Sequence, residues 1–254
     1  MDFSLVPLDT NRFLNFTYLG LSSNGKSLVA LFNTRGNTMV RESQASDLDL
    51  RYIDQDFIDG KYKRAILSDL LVGGLKLNEV PVLVGKDELF DLGRDNLGRT
   101  NDCDMVLGWN VISQFSWRGD YKDGKFEVQT SDFRKPSESK TNQPIINIGY
   151  EEEIIKAAID SSRPTTLISK DLAKKIASTD EDVKNTLDML GESANELTYI
   201  NKVIFDLDGK KVKIGPCQIE DSLKDIDLVF GADILTNTKW AIYGPMNYVR
   251  LTNY

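Results

Sequence analysis

The sequence predicts an all-β chain built from two copies of one unit. Three observations carry that reading. Many short apolar or alternating runs are bounded by Gly, Asp and Asn, the punctuation of strands and tight turns. The order of motifs in the first half recurs in the second: an apolar run into a hydroxyl-rich loop, then hairpins, then an apolar run ending on glycine. The spacing recurs as well. Asn33 lies 75 residues before Gly108, and Asp160 lies 71 before Gly231. Gly108 to Trp117 and Gly231 to Trp240 are both 9, and Trp117 to Val128 and Trp240 to Leu251 are both 11. The expected organisation is an N-terminal lobe over residues 1–130, a linker over 131–144 and a C-terminal lobe over 145–254.

Each element follows from local chemistry. Phe13 to Leu21 and Lys26 to Phe32 read as a hairpin turned at Ser23-Asn24-Gly25, a favoured turn. Asn33 to Thr38 is a polar loop. Asp59-Gly60 marks a second hairpin turn, flanked by Phe57, Ile58 and Tyr62. Ala65 to Val84 reads as two or three strands around Gly73-Gly74. Asp104 to Ile112 (DMVLGWNVI) runs apolar into a short helical turn, and Tyr121 to Val128 is a closing hairpin around Asp123-Gly124. The linker is Pro- and Ser-rich with no apolar period.

In the second half, Ile145 to Ile159 reads as paired strands and Asp160 to Thr166 as the loop. Leu172, Ala173 and Ile176 share one face of a short helix capped by Ser169. Thr179 to Leu190 is a candidate second helix. Val203 to Ile214 reads as a hairpin turned at Asp208-Gly209, and Asp227 to Leu235 (DLVFGADIL) repeats the pattern of 104–112.

Composition narrows the chemistry. The net charge of −8 offers no basic stripe for nucleic acid and suits a neutral or cationic peptide. Histidine is absent, which removes Ser-His and Cys-His pairs and histidine metal sites, and neither a metal nor a cofactor is expected. Cys103 and Cys217 form no CxxC motif and read as free buried thiols in a reducing compartment. No signal peptide and no run of about 18 apolar residues is visible, so the chain reads as cytoplasmic and not membrane-spanning. It is expected to be a monomer with internal pseudo-symmetry.

A strand ending in an acidic triplet, followed about 70 to 80 residues later by apolar-apolar-Gly, resembles the retropepsin-like aspartic proteases. The resemblance covers nearly the whole chain and includes the stretch SDLLVGGLKLNEVPVLV. It implies two tandem closed β barrels with one or two short helices, paired as in pepsin around a cleft. In that family each half supplies one Asp, the two carboxylates share a proton and hold a water, and the adjacent hydroxyl ties the two loops together.

Here the triplets depart from the family. They are Asn33-Thr34-Arg35 and Asp160-Ser161-Ser162. The hydroxyls Thr34 and Ser161 remain, one carboxylate has become an amide, and both glycines are gone. Asn33 has the shape of a protonated Asp and donates a hydrogen bond, but it exchanges no proton at useful pH. Arg35 either enters the cleft, pairs with Asp160 and displaces the water, or points away. Arg163 is either a solvated loop charge or joins Arg35 to bind a ligand carboxylate. The hairpin at Asp59, Gly60 and Tyr62, and the segment Gly191 to Tyr199, occupy the family's flap positions.

Three functional readings stay open. The chain is a pseudoprotease that binds a peptide or protein segment in the inter-lobe cleft without dyad hydrolysis. Alternatively, it is a peptidase or peptide-modifying enzyme using Asp160 alone as acid or base. In the third reading it is an aspartic peptidase silenced by an engineered Asp-to-Asn change at position 33.

Overall fold

Turn chemistry fixes the first hairpin. Asn24 and Gly25 both adopt left-handed backbone, with φ of 50° and 76°. That conformation matches the twist of the flanking strands and joins β2 (Tyr18–Ser23) to β3 (Lys26–Phe32). The structure, a computed structural model, describes residues 2–9, 16–93, 102–129, 143–177, 199–207, 209–223 and 225–253. It is predominantly β.

The first sheet adds β4 (Met39–Arg41), β5 (Leu50–Tyr52), β6 (Tyr62–Val72), β7 (Leu75–Gly85) and β8 (Met105–Leu107). Its order is β2-β3-β8-β4-β7-β6-β5, and a further pairing of Ser22 with Leu71 joins β2 to β6. That pairing closes six strands into a barrel.

The second sheet contains β11 (Ile145–Tyr150), β12 (Glu153–Ile159), β13 (Leu167–Ser169), β14 (Tyr199–Ile200), β15 (Val203–Leu207), β16 (Lys210–Ile214), β17 (Cys217–Glu220) and β18 (Leu228–Phe230). Its order is β14-β17-β13-β18-β12-β11-β15-β16. This sheet is a half-barrel rather than a hydrogen-bonded closed one. The position of the long β7 is taken by two pieces, β16 and β17, separated at Gly215-Pro216. Gly215 has φ of 149°, outside strand geometry, and a Cβ there would lie 2.4 Å from the Asn201 carbonyl oxygen.

The pairing scheme recurs between the two sheets. The strand before each loop runs parallel to the apolar-Gly strand: β3 with β8, and β12 with β18. The strand after each loop is antiparallel to that same strand: β4 with β8, and β13 with β18. Burial recurs too. Leu28, Ala30, Leu31 and Phe32 are buried in β3, and Ile155, Ala157, Ala158 and Ile159 in β12. Both strands alternate near the hairpin and are buried on both faces at the loop end, where period two gives way to full enclosure.

A third sheet draws strands from both halves. Its order is β1 (Phe3–Leu5), β10 (Lys125–Gln129), β9 (Ser116–Asp120), β19 (Thr238–Tyr243), β20 (Tyr248–Asn253). Trp117 pairs across it with Ile242, and Trp240 with Gly119. Phe32, Trp117, Phe126 and Trp240 form one aromatic cluster, with ring centroids 5.0 to 6.0 Å apart. Each buried indole N–H finds an acceptor: Trp117 donates to the Ile112 carbonyl and Trp240 to the Leu235 carbonyl. The tryptophan spacing in the sequence therefore marks equivalent anchors under the shared sheet.

The helical content corrects the expectation of one or two short helices. Four occur among the described residues: α1 (Glu42–Ala45), α2 (Trp109–Ile112), α3 (Lys170–Ala177) and α4 (Ala232–Asn237). The four residues of α1 are too few to show periodicity in the sequence. Ser169 caps α3 by accepting the Leu172 N–H at 3.1 Å, and Leu172, Ala173 and Ile176 are buried. Strand β2 is described from Tyr18, and the expected start at Phe13 lies outside the described residues. The candidate helix at Thr179–Leu190, residues 191–198, Asp208 and most of the linker lie outside the described residues.

Candidate functional site

The two loops meet where β3 and β12 end. Asn33 donates its backbone N–H to the Leu107 carbonyl, and Asp160 donates to the Phe230 carbonyl, both at 2.9 Å. The adjacent hydroxyls then cross from one half to the other. Thr34 Oγ1 donates to the Ile159 carbonyl at 2.8 Å and accepts the Ser161 N–H at 3.1 Å. Ser161 Oγ donates to the Phe32 carbonyl at 2.6 Å and accepts the Thr34 N–H at 3.0 Å. Thr34 and Ser161 are fully buried. Four buried hydrogen bonds thus lock loop to loop with twofold symmetry, each hydroxyl used as donor and acceptor.

A second set of bonds holds each loop from beneath. Thr38 donates its N–H and hydroxyl to Asn110 Oδ1, and its own Oγ1 accepts the Gly108 N–H. Thr166 does the same with the Asp233 carboxylate and the Gly231 N–H. The glycines are required for close approach. A Cβ on Gly108 would lie 2.3 Å from the Asn37 carbonyl carbon, and one on Gly231 would lie 2.6 Å from that of Thr165.

Asp104 and Asp227 brace the strands further back, accepting the N–H groups of Val29 and Lys156 at 2.8 and 2.9 Å. These bracing residues were missed as functional candidates. Their signal was present, because Asp and Asn or Asp recur at fixed offsets around Gly108 and Gly231.

Asp160 is enclosed: its side chain is only 2% exposed. Oδ1 accepts both the N–H and the hydroxyl of Ser162. Oδ2 receives Arg35 Nη1 at 3.1 Å and Arg163 Nε at 3.4 Å. A buried carboxylate is costly unless ionically paired and hydrogen-bonded, and here both oxygens are engaged. Of the two orientations open to Arg35, the structure has the inward one. The Asn33 Oδ1 accepts the Arg35 N–H at 2.9 Å, the counterpart of the Asp160–Ser162 contact. Asn33, Thr34, Arg35, Asp160, Ser161, Ser162 and Arg163 are therefore gathered at one junction.

The flap candidates are not part of that junction's bonding. Ile58 donates to the Tyr62 carbonyl around Asp59 and Gly60, whose φ values are 52° and 66°. Tyr62 pairs with Gly85. Lys63 lies over the Phe57 ring at 4.5 Å, and Lys86 over the same ring at 5.6 Å. Tyr199 pairs with Gln218 at the edge of the second sheet. A cavity of about 740 Å³ lies elsewhere, against Leu5, Gly20, Leu28 and Leu71. It offers apolar surface but no cluster of reactive groups, whereas the loop junction opens to solvent through its arginines.

Electrostatics separate the two bracing positions. Burial pushes the Asp233 carboxyl above its ordinary value, and the Thr166 hydrogen bonds only partly offset it. Burial, with the Asp233 charge, pushes the Cys217 thiol up to about 12. Among the described residues, no group of three or more His, Cys, Asp or Glu side chains is placed to hold a metal ion. Nor is any described helix long and apolar enough to cross a membrane. The chain matches no family model and no curated protein.

Proposed function

We propose that this chain is a single-chain, retropepsin-like pseudoprotease whose paired loops floor a peptide-binding cleft, and that it holds its ligand without dyad hydrolysis. The observation that carries this reading is the saturation of Asp160. Dyad hydrolysis needs one carboxylate to accept a proton from water while a second donates one to the peptide carbonyl. Asn33 has no proton to exchange. Both oxygens of Asp160 are taken, Oδ1 by Ser162 and Oδ2 by two guanidinium groups. The symmetrical exchange between Thr34 and Ser161 supports the family likeness. A peptide would lie extended over the loops and pair with the hairpin around Asp59-Gly60 as an added strand.

The test is a diverse peptide mixture incubated from about pH 3 to 8 and read by mass spectrometry for both cleavage and retention. The protein is expected to retain peptides and cleave none. A double variant, Asn33→Asp with Arg35→Gly, restores the second acid and frees one face of Asp160, and is expected to gain cleavage. Products formed by the unmodified protein that disappear in Asp160→Ala would overturn the proposal. Asp160 would then be a lone acid or base in an active peptidase or peptide-modifying enzyme.

A further inference from the structure

We infer that Arg35 and Arg163 form an anion-receiving pair at the cleft floor and that the ligand presents a carboxylate to it. This rests on the peptide-cleft reading and names the chemistry that the cleft selects.

The local charge does not balance. Two guanidinium groups share one carboxylate oxygen, Asp160 Oδ2, while Oδ1 is engaged by Ser162. Among the described residues, the junction therefore carries two positive charges against one negative charge. Donors are also in excess. A guanidinium has five N–H donors in a planar fork. Among the described residues, Arg35 donates one hydrogen bond to Asp160, from Nη1, and Arg163 meets the same oxygen as an ion pair through Nε. The Arg35 and Arg163 side chains are 53% and 45% exposed, while the carboxylate beneath them is 2% exposed.

Both cations are tethered to one buried oxygen, so their forks are held near each other before any ligand arrives. Pre-positioned arginines bind a planar carboxylate through paired N–H···O bonds. The chain as a whole carries −8, so it repels anions in general, and retention of an acidic peptide calls for a local cationic site. A peptide offers two sources of carboxylate: its C-terminus, or an Asp or Glu side chain.

Three randomised octapeptide pools separate the cases. One has a free C-terminus and no Asp or Glu. The second has an amidated C-terminus and a single central Asp or Glu. The third has an amidated C-terminus and no acid. Each is passed over the immobilised full chain and retained peptides are quantified. One acidic pool is expected to be retained roughly 10- to 100-fold over the third, the range for charge-assisted hydrogen bonds. Which of the two it is identifies the source. Arg163→Gln leaves one arginine against one aspartate, a balanced pair that keeps Asp160 compensated, and it is expected to remove most of that preference. Equal retention of all three pools, or an acidic preference unchanged in Arg163→Gln, would overturn the anion site while leaving the peptide cleft standing. Retention of no pool would refute the cleft itself, and this inference with it.

Discussion

Thr34→Val tests the lock between the halves. Valine matches threonine in shape and branching and removes only the hydroxyl. Two buried bonds disappear: the one donated to the Ile159 carbonyl at 2.8 Å and the one accepted from the Ser161 N–H at 3.1 Å. Losing the partner of a buried polar group costs about 1–3 kcal/mol, so the pair amounts to roughly 2–5 kcal/mol. In a chain of this size 1 kcal/mol corresponds to about 2–4 °C, which places the fall in Tm at roughly 4–20 °C.

Ser161→Ala removes a different pair of bonds, to the Phe32 carbonyl and the Thr34 N–H, and a similar loss is expected. The two hydroxyls share no bond, yet they close the same ring between the loops. The double variant should therefore cost less than the sum of the singles by about 1 kcal/mol. Thr34→Ser, which keeps the hydroxyl, is the control and should lie near the parent. Guanidinium unfolding followed by tryptophan fluorescence reads the transition, because Trp117 and Trp240 are buried beneath the shared sheet. A Thr34→Val protein within about 0.5 kcal/mol of the parent, or strictly additive singles, would show that these hydroxyls do not join the halves.

Further outcomes follow from other positions. Gly119→Ala would set a Cβ 2.1 Å from Trp240 Cε2, so a loss of about 3 kcal/mol is expected from overpacking; a smaller ring, Trp240→Phe, should recover part of it in calorimetry. Because the folded Asp233 carboxyl lies above its ordinary value, its contribution to stability is full at low pH and declines as pH rises from the unfolded toward the folded pKa. Asp233→Asn should therefore become more stable relative to the parent as Tm is scanned upward from pH 3.5. In that variant the amide takes the role of Asn110, whose Nδ2 donates to the Pro81 carbonyl, and an unchanged pH profile would refute the assignment. With its thiol pushed to about 12, Cys217 should resist iodoacetamide at pH 8 in the folded protein and react once unfolded.

The parts of this molecule legible in the sequence are those set by local chemistry repeated twice. Asn24-Gly25 announces its turn because few other residue pairs take left-handed backbone. Gly108 and Gly231 stand out because the chain passes another backbone at contact distance there. The link between the Thr34 and Ser161 hydroxyls was an expectation only through the resemblance to the retropepsin-like proteases, in which the hydroxyl of each triplet ties the two loops together.

What remained hidden depends on partners distant in sequence. The direction of Arg35 was undetermined until Asp160, 125 residues away, supplied its acceptor. The shared sheet was invisible, since nothing near Trp117 announces that Ile242 lies beside it. The split of one long strand at Gly215-Pro216 was unreadable because Pro81 occupies a continuous strand in the first sheet. A proline therefore did not decide the break; Gly215 and its approach to Asn201 did.

The central sheet has a consequence for the nascent chain. Strands β19 and β20 are synthesised after β9 and β10, and until they arrive β9 presents a bare edge next to Gly119 and an incomplete aromatic cluster. An unpaired edge of this kind is a template for association. The slot at Gly119 accepts one particular indole, and a chain stalled before Thr238 has none of its own to offer. Neighbouring copies on a polysome carry the missing strand and the missing ring together, so strand exchange between copies is the misassembly this architecture favours. The equivalent of Gly119 across the pseudo-twofold is Ile242, which leaves no such slot. The exchange would therefore run in one direction, from the β19–β20 hairpin of one chain onto β9 of the next.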